Sequence, residues 1–354
     1  MALVATLLTV ACSELPEVQY HREGFDLAVE FDHPVCEGTL LAMEERVAIV
    51  ERETDMDHDT FMTIYWLSGN LDRVCPRDVS GCFIPGTQVV ASTGRSLHHE
   101  IVHAVLNTRG SNPFTEEGMA EVLSGVAAFQ DVDERAHPLE ALSLTSKDAR
   151  EGSVDYHRAA HFMHFVRAEA GEEAMAALAD AVDRGDGPGR IVSVLEQQLG
   201  RAAPEIEDAY AKAPRFYPSG RAEETPGLSL FDFTAGINVS LNCHHEATFG
   251  PISEDAGGMY HLLRIEGDAP IRGTLFFNAD RGVRASLFRE VDPDGEWVQD
   301  WWHPAPGLDD ERIDLRGGER AFVSLDPADH WLLMVRSGDA DRPKGASLRL
   351  RPAD

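Results

Sequence analysis

The stretch Leu97-His98-His99-Glu100-Ile101-Val102-His103-Ala104-Val105 decides how the rest of the chain is read. His99 and His103 stand four apart. On a helix both imidazoles leave the same face and can close on one ion, about 2.0–2.1 Å from each nitrogen. Glu100 sits beside them, where a carboxylate can take a proton from water held by that ion. Ile101, Val102, Val105 and Leu106 form an apolar stripe that anchors the helix, and a ligand-bearing helix needs such anchoring to hold its geometry. Ser92, Thr93 and Ser96 offer N-cap oxygens, and Arg109-Gly110 reads as a stop. Of the adjacent pair His98 and His99, only His99 has a partner at i+4. The competing reading is a buried helix whose histidines bond to backbone carbonyls.

Downstream runs Pro113-Phe114-Thr115-Glu116-Glu117-Gly118-Met119-Ala120-Glu121. A catalytic zinc site takes three protein ligands and keeps one position open. The metzincin continuation would place a third His six residues after His103, and Arg109 stands there instead. His99-Glu100-x-x-His103 followed by Glu117-Gly-Met-Ala-Glu121 resembles the gluzincin-type metallopeptidases, the thermolysin-like and aminopeptidase-like proteins. That resemblance implies that His99, His103 and Glu117 hold Zn²⁺, that Glu100 is the general base, and that Glu121 orients a ligating His from outside. The residues point the same way. Glu117 and Glu121, at i and i+4, repel each other on a bare helix, and a cation with its imidazoles between them turns that cost into a gain. Acids in a first helical turn also suit the helix dipole, which accounts for Glu116 without a metal. Thirteen residues separate His103 from Glu117, fewer than in the resembled enzymes, so the connection must be short.

A length of 354 residues accommodates two domains, and 43% hydrophobic content suffices for ordinary cores. The net charge of −30 argues against nucleic acid and anionic membrane surfaces as partners. No stretch reaches the roughly 18 apolar residues of a membrane span. Residues 2–11 are apolar and end at Cys12, which resembles a secretory signal closing in a bacterial lipobox with Cys12 lipidated. Thr9 stands where that pattern prefers Leu, and no Lys or Arg precedes Arg22. The other reading is a tail with an incidental Cys.

Beyond Cys12 there are four cysteines, Cys36, Cys75, Cys82 and Cys243, an even count that suits disulfides in an exported chain. Cys75 and Cys82 bracket a short turn-rich loop and pair most easily. Cys36 with Cys243 would then tie the N-terminal part to the C-terminal part. Three pairings are formally open, as are buried free thiols, but no CxxC spacing suggests a cysteine zinc site.

Residues 36–52 fit an amphipathic helix, and Phe61–Trp66 and Thr87–Ala91 read as strands. In the resembled fold the strand before the HExxH helix lines the cleft, which makes Thr87–Ala91 a candidate edge for substrate; an internal strand is the alternative. Residues 128–152 are polar and loop-like. Asp155-Tyr156-His157-Arg158-Ala159-Ala160-His161-Phe162 is similar to the helix that follows Glu-Gly-x-Ala in these peptidases, with Ala160 in place of Gly. By that similarity Tyr156 is a candidate donor to an oxyanion, the alternative being a Tyr packed at a helix start. His157, His161 and His164 share one face and suggest a polar surface, a second metal site or a part in catalysis. Helical patterns at 172–184, 189–199 and 203–213 follow, then a Pro/Gly-rich linker at 214–228.

Past the linker the period changes. Short runs rich in β-branched and aromatic residues at 228–243, 260–266, 271–278, 284–291, 296–302, 320–325, 330–337 and 346–351 predict an antiparallel β-sandwich, faintly similar to modules appended to secreted proteases. His244-His245 and Trp301-Trp302-His303 are either a binding surface or ordinary edge and core residues.

The expectation is therefore an α+β zincin-like metallopeptidase domain over 13–213 and a β-sandwich over 229–354, exported and lipid-anchored to the cell envelope. Peptide or protein is its substrate, nucleic acid is not a partner, and the membrane is met only through the lipid. A non-catalytic surface-binding or scaffold lipoprotein that keeps the fold is the alternative from another class.

Overall fold

The computed structural model describes residues 15–56, 61–69, 71–76, 79–108, 110, 112–126, 128–130, 137–145, 147, 153–217, 229–231, 236–255, 257–265, 270–289, 313–325 and 331–353. The chain is mixed α and β and forms two compact units, Met1–Glu30 with Arg46–Arg221 and Phe31–Glu45 with Ala222–Asp354. Cys12, Trp301, Trp302 and His303, the strand expected at 296–302, and 218–228 of the expected linker lie outside the described residues.

The first unit is built on a five-stranded sheet. Its strands are β1 (Val18–His21), β2 (Phe25–Val29), β3 (Met62–Trp66), β4 (Gly81–Ile84) and β5 (Val89–Ser92), in the order β1-β2-β3-β5-β4. β2, β3 and β5 run parallel, whereas β1 and β4 are antiparallel to their neighbours. Phe25, Leu27, Ile64 and Val90 are wholly buried, as expected of strands covered on both faces. The expected substrate edge at Thr87–Ala91 needs correction: β5 is paired on both sides, by β3 and β4, so the edge belongs to β4. Pairing order is a long-range property, and the Cys75–Cys82 stretch had shown only turn residues.

Helix α1 (Glu37–Thr54) belongs to the second unit up to Glu45 and to the first from Arg46. The first unit continues with α2 (Leu97–Val105), α3 (Pro113–Leu123) and α4 (Tyr156–Asp183), then α5 (Pro188–Leu199) and α6 (Ala203–Tyr210). The helix expected at 172–184 is the second half of α4. Gly171, at φ 71°, breaks the regular backbone there. The short strands β6 (Ala128–Phe129) and β7 (Phe216–Tyr217) pair with each other.

In the second unit β8 (Ser229–Phe231), β10 (Met259–Ile265), β12 (Val283–Arg289), β13 (Ile313–Arg316) and β15 (Trp331–Ser337) form one sheet, in the order β13-β12-β15-β10-β8. β9 (Ile237–Leu241), β11 (Ile271–Ala279), β14 (Arg320–Leu325) and β16 (Lys344–Pro352) form the other, in the order β14-β11-β16-β9. Every pairing is antiparallel except β8 with β10. Inward residues of both sheets, among them Leu241, Leu263, Phe277, Leu333 and Leu348, share one core. Phe31–Glu45 joins this unit through close contacts. A Cβ on Gly38 would lie 2.6 Å from the Glu246 carbonyl oxygen, and Thr39 Oγ1 donates to Gly250 O at 3.0 Å. Cys36 and Cys243 are disulfide-bonded, with Cα atoms 4.4 Å apart; Cys75 and Cys82 form the other bond, in the first unit, at 5.7 Å. No described helix is long and apolar enough to cross a membrane.

Candidate metal centre

Helix α2 leaves a 3₁₀ turn, Gly94–Ser96, with Leu97, Ile101, Val102 and Val105 buried. The capping oxygens behave differently from the sequence expectation. Ser96 occupies the N-cap without a side-chain cap bond; its hydroxyl donates to Ser80 O at 2.7 Å and meets Ser92 Oγ at 3.0 Å. The helix entry is therefore tied to the residue before β4. The stop also falls earlier than Arg109-Gly110. Asn107 takes the left-handed conformation at φ 48°, and Thr108 N–H donates back to His103 O at 3.1 Å. Asparagine tolerates that conformation better than other residues with a Cβ.

Helix α3 opens on Asn112, whose side-chain oxygen accepts from Thr115 N–H at 3.2 Å, with Pro113 following. Asn112 Nδ2 also donates to Leu142 O at 2.9 Å. The short connection from α2 is closed by Glu116, whose buried carboxylate accepts from Gly110 N–H at 2.6 Å and Asn112 N–H at 3.0 Å. Gly118 lets α3 lie directly on α4, because a Cβ there would stand 2.6 Å from both Ala159 O and Met163 Cγ.

These supports bring His99, His103 and Glu117 together. His99 Nε2 lies 2.9 Å from His103 Nε2 and 3.0 Å from Glu117 Oε2, and His103 Nε2 lies 3.1 Å from the same oxygen. His103 Nδ1 meets Thr108 Oγ1 at 3.0 Å, and His99 Nδ1 lies 3.0 Å from Glu121 Oε1, at ion-pair distance but off the line of a hydrogen bond. Three donor atoms thus face one point, and two imidazole nitrogens 2.9 Å apart can share at most one proton. The donor set fits a single cation, and the group can hold a metal ion.

The electrostatics agree with a site built for positive charge. Burial disfavours an imidazolium at His99, but the contacts and charges of Glu117 and Glu121 outweigh it and raise its pKa well above the ordinary value. His103 is raised in the same way, burial being overcome by Glu117. Burial alone would raise Glu117, yet His103 and His99 hold it well below the usual carboxylate range. Glu100 goes the other way: burial raises it, more than His99 and His103 lower it. Its side chain packs where a Cβ on Gly81, the first residue of β4, would stand, 2.5 Å from Glu100 Cγ.

Tyr156 begins α4 behind Asp155, whose carboxylate accepts from Arg158 N–H at 3.0 Å. Its ring is 44% exposed, with its centroid 6.1 Å from that of His99. Burial first, then Glu117, Glu100 and Glu121, raise its pKa, so it stays a proton donor. The α4 histidines do not form a second metal site, nor do they share a polar surface. His157 is exposed, while His161 is buried between Tyr210 OH at 3.0 Å and Pro214 O at 2.9 Å. His164 donates to Val126 O at 2.8 Å and stacks on Tyr217. His244 and His245 sit exposed in the turn after β9. Thr108 and Gly81 escaped the sequence reading. Neither residue type carries a signal for its role, and Glu116 lies four residues past the N-cap Asn112, one beyond the capping-box spacing, so that closure had no signal either.

No family model and no curated protein sequence matches the chain. Among solved structures it is similar to Legionella pneumophila aminopeptidase A in complex with aspartic acid, at a TM-score of 0.35 and 9% identity. The match covers 93% of this chain and 36% of that one, so the chain spans well under half the length of that protein.

Proposed function

We propose that the chain is a zinc-dependent metallopeptidase of the gluzincin type on a zincin-like first unit, exported and anchored to the cell envelope through Cys12. One observation carries the reading: His99, His103 and Glu117 present three donor atoms within 3.1 Å of one another, and both imidazoles are held from behind. Two imidazoles and a carboxylate are a zinc set that leaves a coordination position for chemistry. Zinc bound there would lower the pKa of its water and polarise a peptide carbonyl.

The chain's own residues supply the rest. Glu100 sits beside both histidines on α2, and its burial biases it toward holding a proton. It takes the proton of the attacking water and passes it to the leaving amine. Tyr156, kept protonated, donates to the oxygen that gains charge. β4, not β5, offers the edge left unpaired among the described residues to an extended peptide in this reading. Two disulfides are the pattern of chains that mature outside a reducing cytoplasm, which supports export.

The test is metal content plus cleavage of a peptide library by the full chain and by Glu100→Gln. The expected result is one zinc per chain in both forms, with chelator-sensitive cleavage that Glu100→Gln loses by about 10²-fold or more. Zinc retained without cleavage by either form gives the non-catalytic binding protein instead. Absence of a bound metal removes the enzyme reading.

A further inference from the structure

The outward face of the β14-β11-β16-β9 sheet differs in charge from the rest of the molecule. Along each strand the residues that alternate with buried Val323, Leu275, Leu348 and Leu350 point away from the core. Those positions hold Arg272, Arg320, Arg349 and Arg351, together with Phe276 and Phe322. The pairing register sets Phe322 beside Thr274 and Thr274 beside Arg351, and in the adjoining row Arg320 beside Phe276 and Phe276 beside Arg349. The remaining outward positions on the four strands are Ser, Thr, Asn or Gly. None is acidic, although the chain carries 61 acids against 31 Lys and Arg.

Among the described residues none of the four guanidinium groups is held in an ion pair, and Phe322 is 64% exposed. The face ends in a cavity of about 650 Å³ lined by Phe276, Leu315 and Arg320 with Asp314 and Glu319. Asp314 accepts from Ser286 Oγ at 2.6 Å and Glu319 from Arg316 N–H at 2.7 Å; these bonds do not cancel the negative charges, which make this end of the face its least favourable for an anion.

We propose that this sheet face binds an acidic polysaccharide, a polymer of carboxylate-bearing pyranose units. The guanidinium groups match carboxylates in charge and in fork geometry. Between them the two rings offer rigid apolar area, which packs on the C–H face of a sugar ring at little entropic cost. Neighbouring strands lie about 4.8 Å apart and outward residues repeat about every 6.7 Å, so the patch spans roughly 10 by 13 Å, room for two or three sugar units. An acidic peptide satisfies the arginines but has no use for the rings.

Nucleic acid and an anionic membrane satisfy the charge as well, but two disulfides are the pattern of chains that mature outside a reducing cytoplasm, which favours a glycan over nucleic acid. A membrane also presents an extended negative surface to a chain of net charge −30, whereas a flexible polymer meets only the local patch within a Debye length of about 8 Å.

The proposal is tested by affinity electrophoresis of the full chain through polygalacturonate, with dextran, polyglutamate, single-stranded DNA and anionic phosphatidylglycerol vesicles as comparisons. Polygalacturonate is expected to retard the chain in a salt-sensitive manner, while neutral dextran does not. Arg320→Ala with Arg349→Ala, and separately Phe276→Ala with Phe322→Ala, should each weaken binding about tenfold. Melting of the variants checks that the substitutions, one of them at half-buried Phe276, leave the fold intact. No retardation by polygalacturonate overturns the proposal. So does equal binding to polyglutamate, DNA or vesicles, or a response to the arginines with none to the phenylalanines. Peptide cleavage plays no part in the readout, so the result stands or falls independently of the metal centre.

Discussion

Thr108 governs how His103 faces the candidate metal site. Its hydroxyl lies 3.0 Å from Nδ1, so the ring's other nitrogen is turned toward Glu117. Thr108→Val keeps the shape and removes the bond. It is expected to weaken zinc binding about 10- to 100-fold in a chelator competition, the usual cost of losing an outer partner, with cleavage recovering at saturating metal. Gly118 acts by having no side chain. Gly118→Ala drives a Cβ to 2.6 Å from the Ala159 carbonyl and should destabilise the first unit by about 1–3 kcal/mol in a urea titration. The donors themselves were legible because His99, Glu100, His103, Glu117 and Glu121 lie within one short stretch at helical spacings. Thr108 was not, because a threonine just past a helix end is ordinary in any sequence. Nor was the role of His161 and His164, since their partners are backbone carbonyls at Pro214 and Val126, far along the chain.

At the scale of elements, β4 was among the least visible, yet it packs against Glu100. Gly, Cys, Phe and Ile carry little alternation, and the strand exists because Cys82 is bonded to Cys75 and because Ser80 O receives Ser96 Oγ and Thr93 N–H. Its first residue leaves space for the Glu100 side chain. Gly81→Ala is expected to displace that carboxylate and cut cleavage at least about tenfold while zinc content stays at one per chain; unaltered turnover would remove β4 from the mechanism. Helix α4 carries a pH dependence of its own. Burial lowers His164 to about 4 from the ordinary 6.5, with Arg167 adding to it and the Val126 bond and Glu121 opposing. A depressed histidine stabilises the neutral form, so its contribution is complete above about 6.5 and is lost as pH falls toward 4. Unfolding free energies from urea titrations between pH 7 and 4.5 should fall more steeply for the native chain than for His164→Gln, by up to about 3 kcal/mol.

Over the whole molecule, the β strands of the second unit were largely legible from their period-2 runs, and β13 was missed because Ile313–Arg316 is too short to show a period. The membership of Phe31–Glu45 was invisible, since no local property of an amphipathic helix start tells which core it will join. The Cys36–Cys243 bond, spanning 207 residues, secures that membership. Replacing both cysteines with serine should lower the melting stability of the second unit by about 2–5 kcal/mol, near the loop-closure cost for so long a span. The same bond sets an order of events during synthesis. Cys36 leaves the ribosome early and must wait for a partner, while Cys75 and Cys82 emerge in between with free thiols of their own. Oxidation in order of appearance would join Cys36 to one of them and trap a misfolded chain. Correct maturation requires instead that Cys75 and Cys82, seven residues apart, close on each other first and leave Cys36 to wait for Cys243.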